Sequence, residues 1–279
     1  MKRRAFLQLL AATNAIAAPR AAKRITRLYR EAPPSQQIRM IPDILALGDK
    51  IVTLRLNQPV LTASKPDGTF LWEHSLAQAQ FATIAGVAGE DMLLQLTGSK
   101  LRRLNPQDGS STTIRGGDNT VGRLFYAGDG YLIRPAGFQI ELWKLNGESL
   151  ELVHHTAADV PAAATVDLLS PALAAITASD ATAMWTVDIP SGRVHRFEPD
   201  SVAPQSPLMV TGVDRERGRL LWLFTPREIA QPVQVVAIDS EGNVEPAGAF
   251  ERHGRFPIRV MKYGEEIGIA YADGLVSWH

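Results

Sequence analysis

A hairpin that recurs every 38 to 50 residues constrains this chain more than any other feature of its sequence. Each copy has an apolar strand, a polar turn in which Asp or Asn stands near Gly, and a second strand. The turn glycines are Gly68, Gly109, Gly147, Gly192 and Gly242. Glycine adopts the positive φ that such turns need, and the Asp or Asn side chain caps the turn by a hydrogen bond. Five copies predict a repeat protein built from small antiparallel units.

A second pair of strand-like segments precedes each hairpin, so each unit has four strands. In the first unit these segments are residues 44–47 and 50–56, and in the second they are residues 84–87 and 91–96. Four-stranded units with a period of about 40–50 residues are typical of propeller blades. We therefore predict an all-β fold, a six-bladed β-propeller with four-stranded blades. The alternatives are a seven-bladed ring with one degenerate blade, or a pair of β-sandwiches.

The sixth unit has only three strand-like segments, within residues 258–278. A ring of blades with an unpaired strand would leave an open edge, which natural sheets avoid. Residues 24–30 have the alternation expected of an outer strand. We predict that this N-terminal strand completes the last blade and closes the ring.

The turn formed by residues 67–72, Asp-Gly-Thr-Phe-Leu-Trp, resembles the D-G-x-x-x-W turn of PQQ-like repeats. In shape, residues 24–279 resemble the six-bladed propeller superfamilies that include the TolB-like and NHL-type proteins. NHL-type and lactonase propellers bind calcium or zinc with inward-facing Glu, Asn, Asp or His side chains. No such ligand can be matched residue by residue in this chain, so the resemblance implies a ring with functional loops and no defined activity.

The N-terminus has the features of an export signal. Basic residues are followed by an apolar stretch, and Ala15-Ile16-Ala17 has the small-x-small form of a cleavage site. The segment resembles a bacterial twin-arginine signal, because Arg3, Arg4, Phe6 and Leu7 match the R-R-x-F-L core of that family. The alternatives are an ordinary Sec signal or an amphipathic helix that stays on the folded protein.

We therefore predict a signal peptide over residues 1–22 and a single propeller domain over residues 24–279. The resemblance implies transient contact with the export machinery and a periplasmic or otherwise extracytoplasmic location. The apolar segment is shorter than the roughly 20 residues that a spanning helix needs, so we expect no stable membrane span in the mature protein.

Composition excludes several function classes. The 29 basic and 29 acidic side chains balance, which argues against a nucleic-acid partner. The chain has no cysteine, and this rules out disulfides, thiolate metal sites and a cysteine nucleophile. We expect a monomer.

No motif in the sequence identifies a reaction. The nucleophile elbow, the phosphate-binding loops and the usual zinc spacings are all missing, so the catalytic residues stay unknown. We predict no cofactor and no defined metal ligands, while a divalent metal stays open. The five tryptophans lie almost entirely in strand segments. Packing between blades is therefore a simpler explanation of these residues than an aromatic platform that stacks on carbohydrate.

In a propeller, the loops between blades and the loops between second and third strands share one face around the channel, and loops on a rigid ring usually hold the function. We assign the adjacent histidines 154 and 155 to a connection between blades on this face. The candidate ligand-binding residues of the face are Arg39, His154, His155, Arg227, Glu228, Arg252, His253 and Arg255.

Two functions fit the sequence. The first is a binding or scaffold module that recognises a protein, peptide or glycan on this face. The second is a metal-dependent hydrolase or lyase whose site lies at the channel mouth and is assembled from dispersed residues. The absence of a catalytic pattern favours the binding module.

Overall fold

The computed structural model describes residues 19–28, 43–47, 49–55, 60–76, 82–96, 100–116, 123–161, 164–178, 183–197, 208–225, 231–251 and 254–279. They form six separate four-stranded antiparallel sheets, and each sheet is one blade of a propeller. The predicted all-β, six-bladed fold is thus confirmed. These residues contain no α-helix, and hence none that is long and apolar enough to cross a membrane.

Within each of the first five blades the strands follow one another in chain order. Blade 1 contains β2 (Asp43–Leu47), β3 (Lys50–Arg55), β4 (Val60–Ser64) and β5 (Phe70–Ser75). Blade 2 contains β6 (Ala82–Ala88), β7 (Asp91–Leu96), β8 (Leu101–Leu104) and β9 (Ser111–Ile114). Blade 3 contains β10 (Phe125–Gly128), β11 (Tyr131–Pro135), β12 (Gln139–Asn146) and β13 (Ser149–Ala157). Blade 4 contains β14 (Thr165–Ser170), β15 (Leu173–Thr177), β16 (Met184–Asp188) and β17 (Arg193–Phe197). Blade 5 contains β18 (Leu208–Asp214), β19 (Arg219–Thr225), β20 (Val233–Ile238) and β21 (Val244–Phe250). Blade 6 contains β22 (Pro257–Tyr263), β23 (Glu266–Tyr271), β24 (Leu275–Trp278) and β1 (Arg24–Arg27).

The last blade takes its outer strand from the N-terminus, as the sequence predicted. β1 pairs with β24 from Arg24 opposite Trp278 to Arg27 opposite Leu275. The indole of Trp278 donates a hydrogen bond to the Thr26 hydroxyl at 2.9 Å. Leu28, which follows β1, is fully buried. Its carbonyl accepts a hydrogen bond from the Ser64 hydroxyl of blade 1 at 2.9 Å, so the closing strand also touches the next blade.

The core is divided among the junctions between blades. Six clusters of buried apolar side chains lie in the described residues, and each joins two adjacent blades. Because every blade is covered on both faces, the second strands are buried almost throughout, for example β7 and β15. Trp185, Trp222 and Trp278 are nearly or fully buried in these clusters, in agreement with the packing role predicted for tryptophan.

The recurring turn has the predicted geometry. All five turn glycines have a positive φ, between 60° and 89°. The carboxylate of Asp67 accepts a hydrogen bond from the Thr69 N–H at 2.8 Å, and Asp188 accepts one from the Ser191 N–H at 2.9 Å. The repeat in the sequence therefore marks the hairpin between the third and fourth strands of each of the first five blades.

Candidate functional site

The first strands of the six blades line a central channel that encloses about 700 Å³. These strands all begin at one end of the channel, here called the upper face, and end at the other, the lower face. Most of the wall is apolar, but charged side chains interrupt it. They are Asp43, Arg123, Asp167, Asp214, Arg215, Glu216, Arg259 and Lys262.

The first ion pair joins blades 1 and 3 at the start of their first strands. Arg123 donates from Nη2 to Asp43 Oδ2 at 2.5 Å, and also to the carbonyl oxygen of Ile84 at 3.0 Å. The backbone N–H of Ile84 donates to the same Asp43 oxygen at 2.8 Å. Since Ile84 lies on the first strand of blade 2, the pair connects three consecutive blades.

The second ion pair joins blades 4 and 6 in a similar way. Arg259 donates from Nη2 to Oδ1 of Asp167, and its Nη1 donates to the Thr211 hydroxyl of blade 5 at 3.4 Å. The hydroxyls of Thr165 and Thr211 lie 3.4 Å apart. Asp167 is only 3% exposed, and its second oxygen, Oδ2, is buried without a hydrogen-bond partner among the described residues.

A third pair lies near the lower face, where Lys262 Nζ and Asp214 Oδ2 are 3.0 Å apart and both side chains are buried. The next residue, Arg215, begins the turn between β18 and β19 and lines the channel. Although Arg215 is exposed to solvent, desolvation by the surrounding protein lowers the pKa of its guanidinium. The Asp167 carboxylate raises the pKa of Arg215, whereas the Arg259 guanidinium lowers it further. Arg215 forms no salt bridge in the part of the chain that the structure describes.

The ring therefore divides into two half-rings of three blades, each closed by one carboxylate–guanidinium pair. The middle blade of each half-ring also has a glycine two residues before the end of its first strand. A Cβ on Gly86 would lie 2.4 Å from Cβ of Tyr126 in blade 3, and one on Gly212 would lie 1.7 Å from the carbonyl oxygen of Val260 in blade 6. Both glycines allow a close approach of two first strands that no other residue would permit.

The structure separates the predicted histidine pair from the channel. His154 and His155 lie within β13, the outermost strand of blade 3, and not in a connection between blades. A Cβ on Gly192 would lie 3.0 Å from the His154 ring, so this histidine packs against the recurring turn of blade 4. His74 has the equivalent position in blade 1, against Gly109. His154 thus belongs to the packing between blades.

Arg255 lies on the predicted face, directly before β22, and its Nε donates to Asp273 in the turn between β23 and β24 at 3.0 Å. The other predicted binding residues, Arg39, Arg227, Glu228, Arg252 and His253, lie outside the described residues, as do Arg3, Arg4, Phe6 and Leu7 of the predicted export signal. The structure therefore places only Arg255 of this set on the upper face.

The charged residues of the channel are not among those predicted from the sequence. Their signal is a charged side chain inside an otherwise apolar first strand, such as Asp167 between Val166 and Leu168. Lys262 follows the apolar pair 260–261 in the same way. Each charged residue in such a run needs a partner, and the structure shows that the partner comes from another blade.

The described residues contain no group of three or more His, Asp or Glu side chains that could hold a metal ion. Three of the four carboxylates that line the channel, those of Asp43, Asp167 and Asp214, instead bind an arginine or a lysine. Paired in this way, they form a polar wall with both donors and acceptors.

The sequence matches no protein-family model, and no curated protein is similar to it in sequence. Among solved structures, it is similar in fold to a catalytically inactive virginiamycin B lyase from Staphylococcus aureus with quinupristin: TM-score 0.57, 11% identity, covering 85% of this chain and 79% of the lyase. A streptogramin B lyase has a TM-score of 0.56 and 9% identity, covering 92% of this chain and 97% of that one. BamB from Moraxella catarrhalis has a TM-score of 0.44 and 13% identity, covering 85% and 81%. At these identities the two lyases share the propeller fold with this chain, and the likeness says nothing of activity.

Proposed function

We propose that this chain is an exported binding module that takes a protein, peptide or glycan ligand at its channel. The observation that carries the proposal is the pairing of the channel carboxylates. Asp43, Asp167 and Asp214 each bind a cation from another blade, which fixes the orientation of the carboxylate and offers the remaining lone pairs and N–H groups to a ligand. Fixed polar groups in a concave, mostly apolar wall are the usual composition of a binding site.

Exposed aromatic side chains on the upper face support the same function. Phe138 is 81% exposed in the turn between β11 and β12, and Phe256 is 59% exposed directly before β22. Gly137 and Phe138 both have positive φ, near 64° and 60°. A bulky residue at positive φ raises the free energy of the folded state by on the order of 1 kcal/mol. Because the Phe138 ring is exposed, packing within the chain does not offset this cost. Contact with a ligand at the channel mouth would use this ring.

The alternative is a metal-dependent hydrolase or lyase at the channel mouth. A catalytic zinc site needs three converging protein ligands and an open coordination position. The carboxylates of Asp43, Asp167 and Asp214 are held by arginine and lysine, and a carboxylate in a salt bridge is a poorer metal ligand than a free one. This geometry favours the binding module.

A thermal-melt screen of the purified chain tests the proposal against this alternative. A ligand that binds only the native state raises Tm by mass action. We expect sugars or short peptides to raise Tm, with no effect of divalent metals or of chelator. A rise with one divalent metal that chelator reverses would instead favour the enzyme.

Export is the second part of the proposal, and the twin-arginine resemblance of residues 3–7 supports it. Arg20 forms a backbone bridge with Phe250, so cleavage after Ala17 would leave the N-terminal part of the fold complete. The double variant Arg3→Lys, Arg4→Lys should strand the precursor in the cytoplasm, as cell fractionation would show. The control is Lys23→Arg, which lies beyond the signal. Unchanged export of the double variant would contradict the twin-arginine route.

A further inference from the structure

The channel of the second half-ring contains a buried hydrogen-bond acceptor that the chain itself does not use. Asp167 is 3% exposed, its Oδ1 is bound to Arg259, and its Oδ2 has no partner in the part of the chain that the structure describes. A buried carboxylate oxygen without a donor is costly, and such atoms in native proteins call for an explanation. Asp167 lines the channel, but Oδ2 itself lies just beneath the channel surface, so a donor in the cavity reaches it once the side chains that cover it move aside.

The charge around Asp167 selects the kind of donor. The electrostatic neighbours of Arg215 are Asp167 and Arg259, so one carboxylate lies among two guanidinium groups. Glu216, the following residue, also lines the channel and is exposed in the turn at the lower face. A ligand that donates from an ammonium group would be repelled by the guanidinium groups of Arg215 and Arg259. A ligand with a neutral donor beside an anionic group would be attracted by them.

The remaining polar groups fit hydroxyls. Thr165 lines the channel and its hydroxyl lies 3.4 Å from that of the buried Thr211, and a hydroxyl can donate to one sugar hydroxyl and accept from another. Tyr263 also lines the channel, and its buried phenol OH has no hydrogen-bond partner in the described segments. The cavity of about 700 Å³ has room for one or two sugar rings.

We propose that the channel wall of the second half-ring binds a sugar acid. Arg215 pairs with the carboxylate of the sugar, and Asp167 Oδ2 accepts a hydrogen bond from a neighbouring hydroxyl. This inference rests on the proposed binding function and names the chemistry of its ligand. A peptide with a free C-terminus presents a carboxylate beside an N–H donor, and its binding is one outcome of the test below.

The experiment compares D-galacturonate with D-galactose by isothermal titration calorimetry of the purified chain in about 0.1 M salt, where exposed charges are partly screened. The two sugars differ only by the carboxylate. We expect galacturonate to bind at least about tenfold more tightly, because a charge-assisted pair with arginine is among the stronger hydrogen bonds. The variant Arg215→Gln should remove this difference.

Arg217→Gln is the matched control, because Arg217 is exposed in the same turn but does not line the channel. It should change the affinity for galacturonate less than twofold. Asp167→Asn replaces the free acceptor with an amide group and should also weaken binding about tenfold. Its melting curve, recorded in parallel, shows whether the variant is folded.

The outcomes separate the two proposals. Equal affinity for galacturonate and galactose, or equal effects of the two arginine variants, overturns the sugar-acid inference. If galactose or an acetylated tetrapeptide with a free C-terminus binds better than galacturonate, and Arg215→Gln or Asp167→Asn weakens it, the sugar acid is wrong and the binding module stands. If no sugar and no peptide binds to the folded chain, both proposals fail.

Discussion

Asp43 in blades 1–3 and Asp167 in blades 4–6 each form an ion pair with an arginine of another blade, but their surroundings differ. Asp43 is 17% exposed, its partner Arg123 is 34% exposed, and one Asp43 oxygen accepts both the guanidinium and a backbone N–H. The Asp167 side chain is 2% exposed, Arg259 is 21% exposed, and one oxygen has no partner within the described residues. Both carboxylates fasten blades, but only in the second half-ring is the carboxylate almost completely buried, with one oxygen that no donor in the described residues reaches.

This difference in burial gives the two ion pairs different energetic weight within one architecture. A buried carboxylate with a free oxygen lowers stability relative to a fully paired one, and such a cost is typical of a functional site. The three predictions below test how far the two half-rings differ.

The largest effect is expected from Gly212→Ala in the second half-ring. The new Cβ would lie 1.7 Å from a backbone oxygen of blade 6, which cannot rotate away. We expect a loss of at least about 4 kcal/mol, so that little folded protein is recovered. Gly86→Ala is the comparison in the first half-ring, where the atom met at 2.4 Å belongs to a side chain.

Gly264→Ala is the control for this pair, since its Cβ would meet nothing within 4 Å. It should cost about 1 kcal/mol, because alanine is strained at φ +54°. Circular dichroism with urea unfolding measures all three variants. A cooperative, wild-type transition for Gly212→Ala would contradict the close approach of blades 5 and 6.

The second prediction compares the carboxylates directly. Asp167→Ala leaves Arg259 without its partner in a buried place and should cost about 3 kcal/mol. Asp43→Ala breaks a more exposed pair and should cost about 1–2 kcal/mol, part of it from the Ile84 N–H that loses its acceptor. Equal losses in urea unfolding would remove the energetic distinction between the half-rings.

The smallest effect on the free energy of unfolding is expected from a fall in pH, and this effect should be similar in the two half-rings. The backbone N–H of Thr69 lowers the pKa of Asp67, that of Ser110 lowers the pKa of Asp108, and the Ser191 hydroxyl lowers the pKa of Asp188. A folded pKa below the unfolded value stabilises the protein above the unfolded pKa of about 4, and this contribution is lost as the pH falls through the folded pKa.

We therefore expect stability to fall below about pH 4, with both half-rings affected alike. The triple variant Asp67→Asn, Asp108→Asn, Asp188→Asn keeps a capping oxygen at each turn and removes the titration. Its unfolding free energy should depend less on pH in this range than that of the parent chain. An unchanged slope would show that these turns do not govern acid stability.

The repeat predicted the fold because its signal is local. A glycine with positive φ and a capping carboxylate recur within a few residues of each other, so their spacing alone locates the hairpins. The closing strand was also predictable, since its alternation is visible within residues 24–30. The structure confirms both predictions.

The site was not predictable for a physical reason. Asp43 and Arg123 lie 80 residues apart, and Asp167 and Arg259 lie 92 residues apart. Which side chains of a first strand face the channel depends on irregularities in register, such as the one between Leu168 and Ser170. The histidine pair was misplaced because β13 continues through two polar residues for nine residues in all, longer than a typical outer strand of this chain.

The strand that closes the ring also sets the order in which the protein can be completed during synthesis. β1 is synthesised well before the strand that it pairs with, because Trp278 lies 252 residues further along than Thr26. Until β24 has been synthesised, β1 has no partner strand, and the other five blades can assemble without it. Contacts this distant in sequence form slowly. The ring can therefore close only after both β1 and β24 have been synthesised, and any export that requires a finished ring follows that closure.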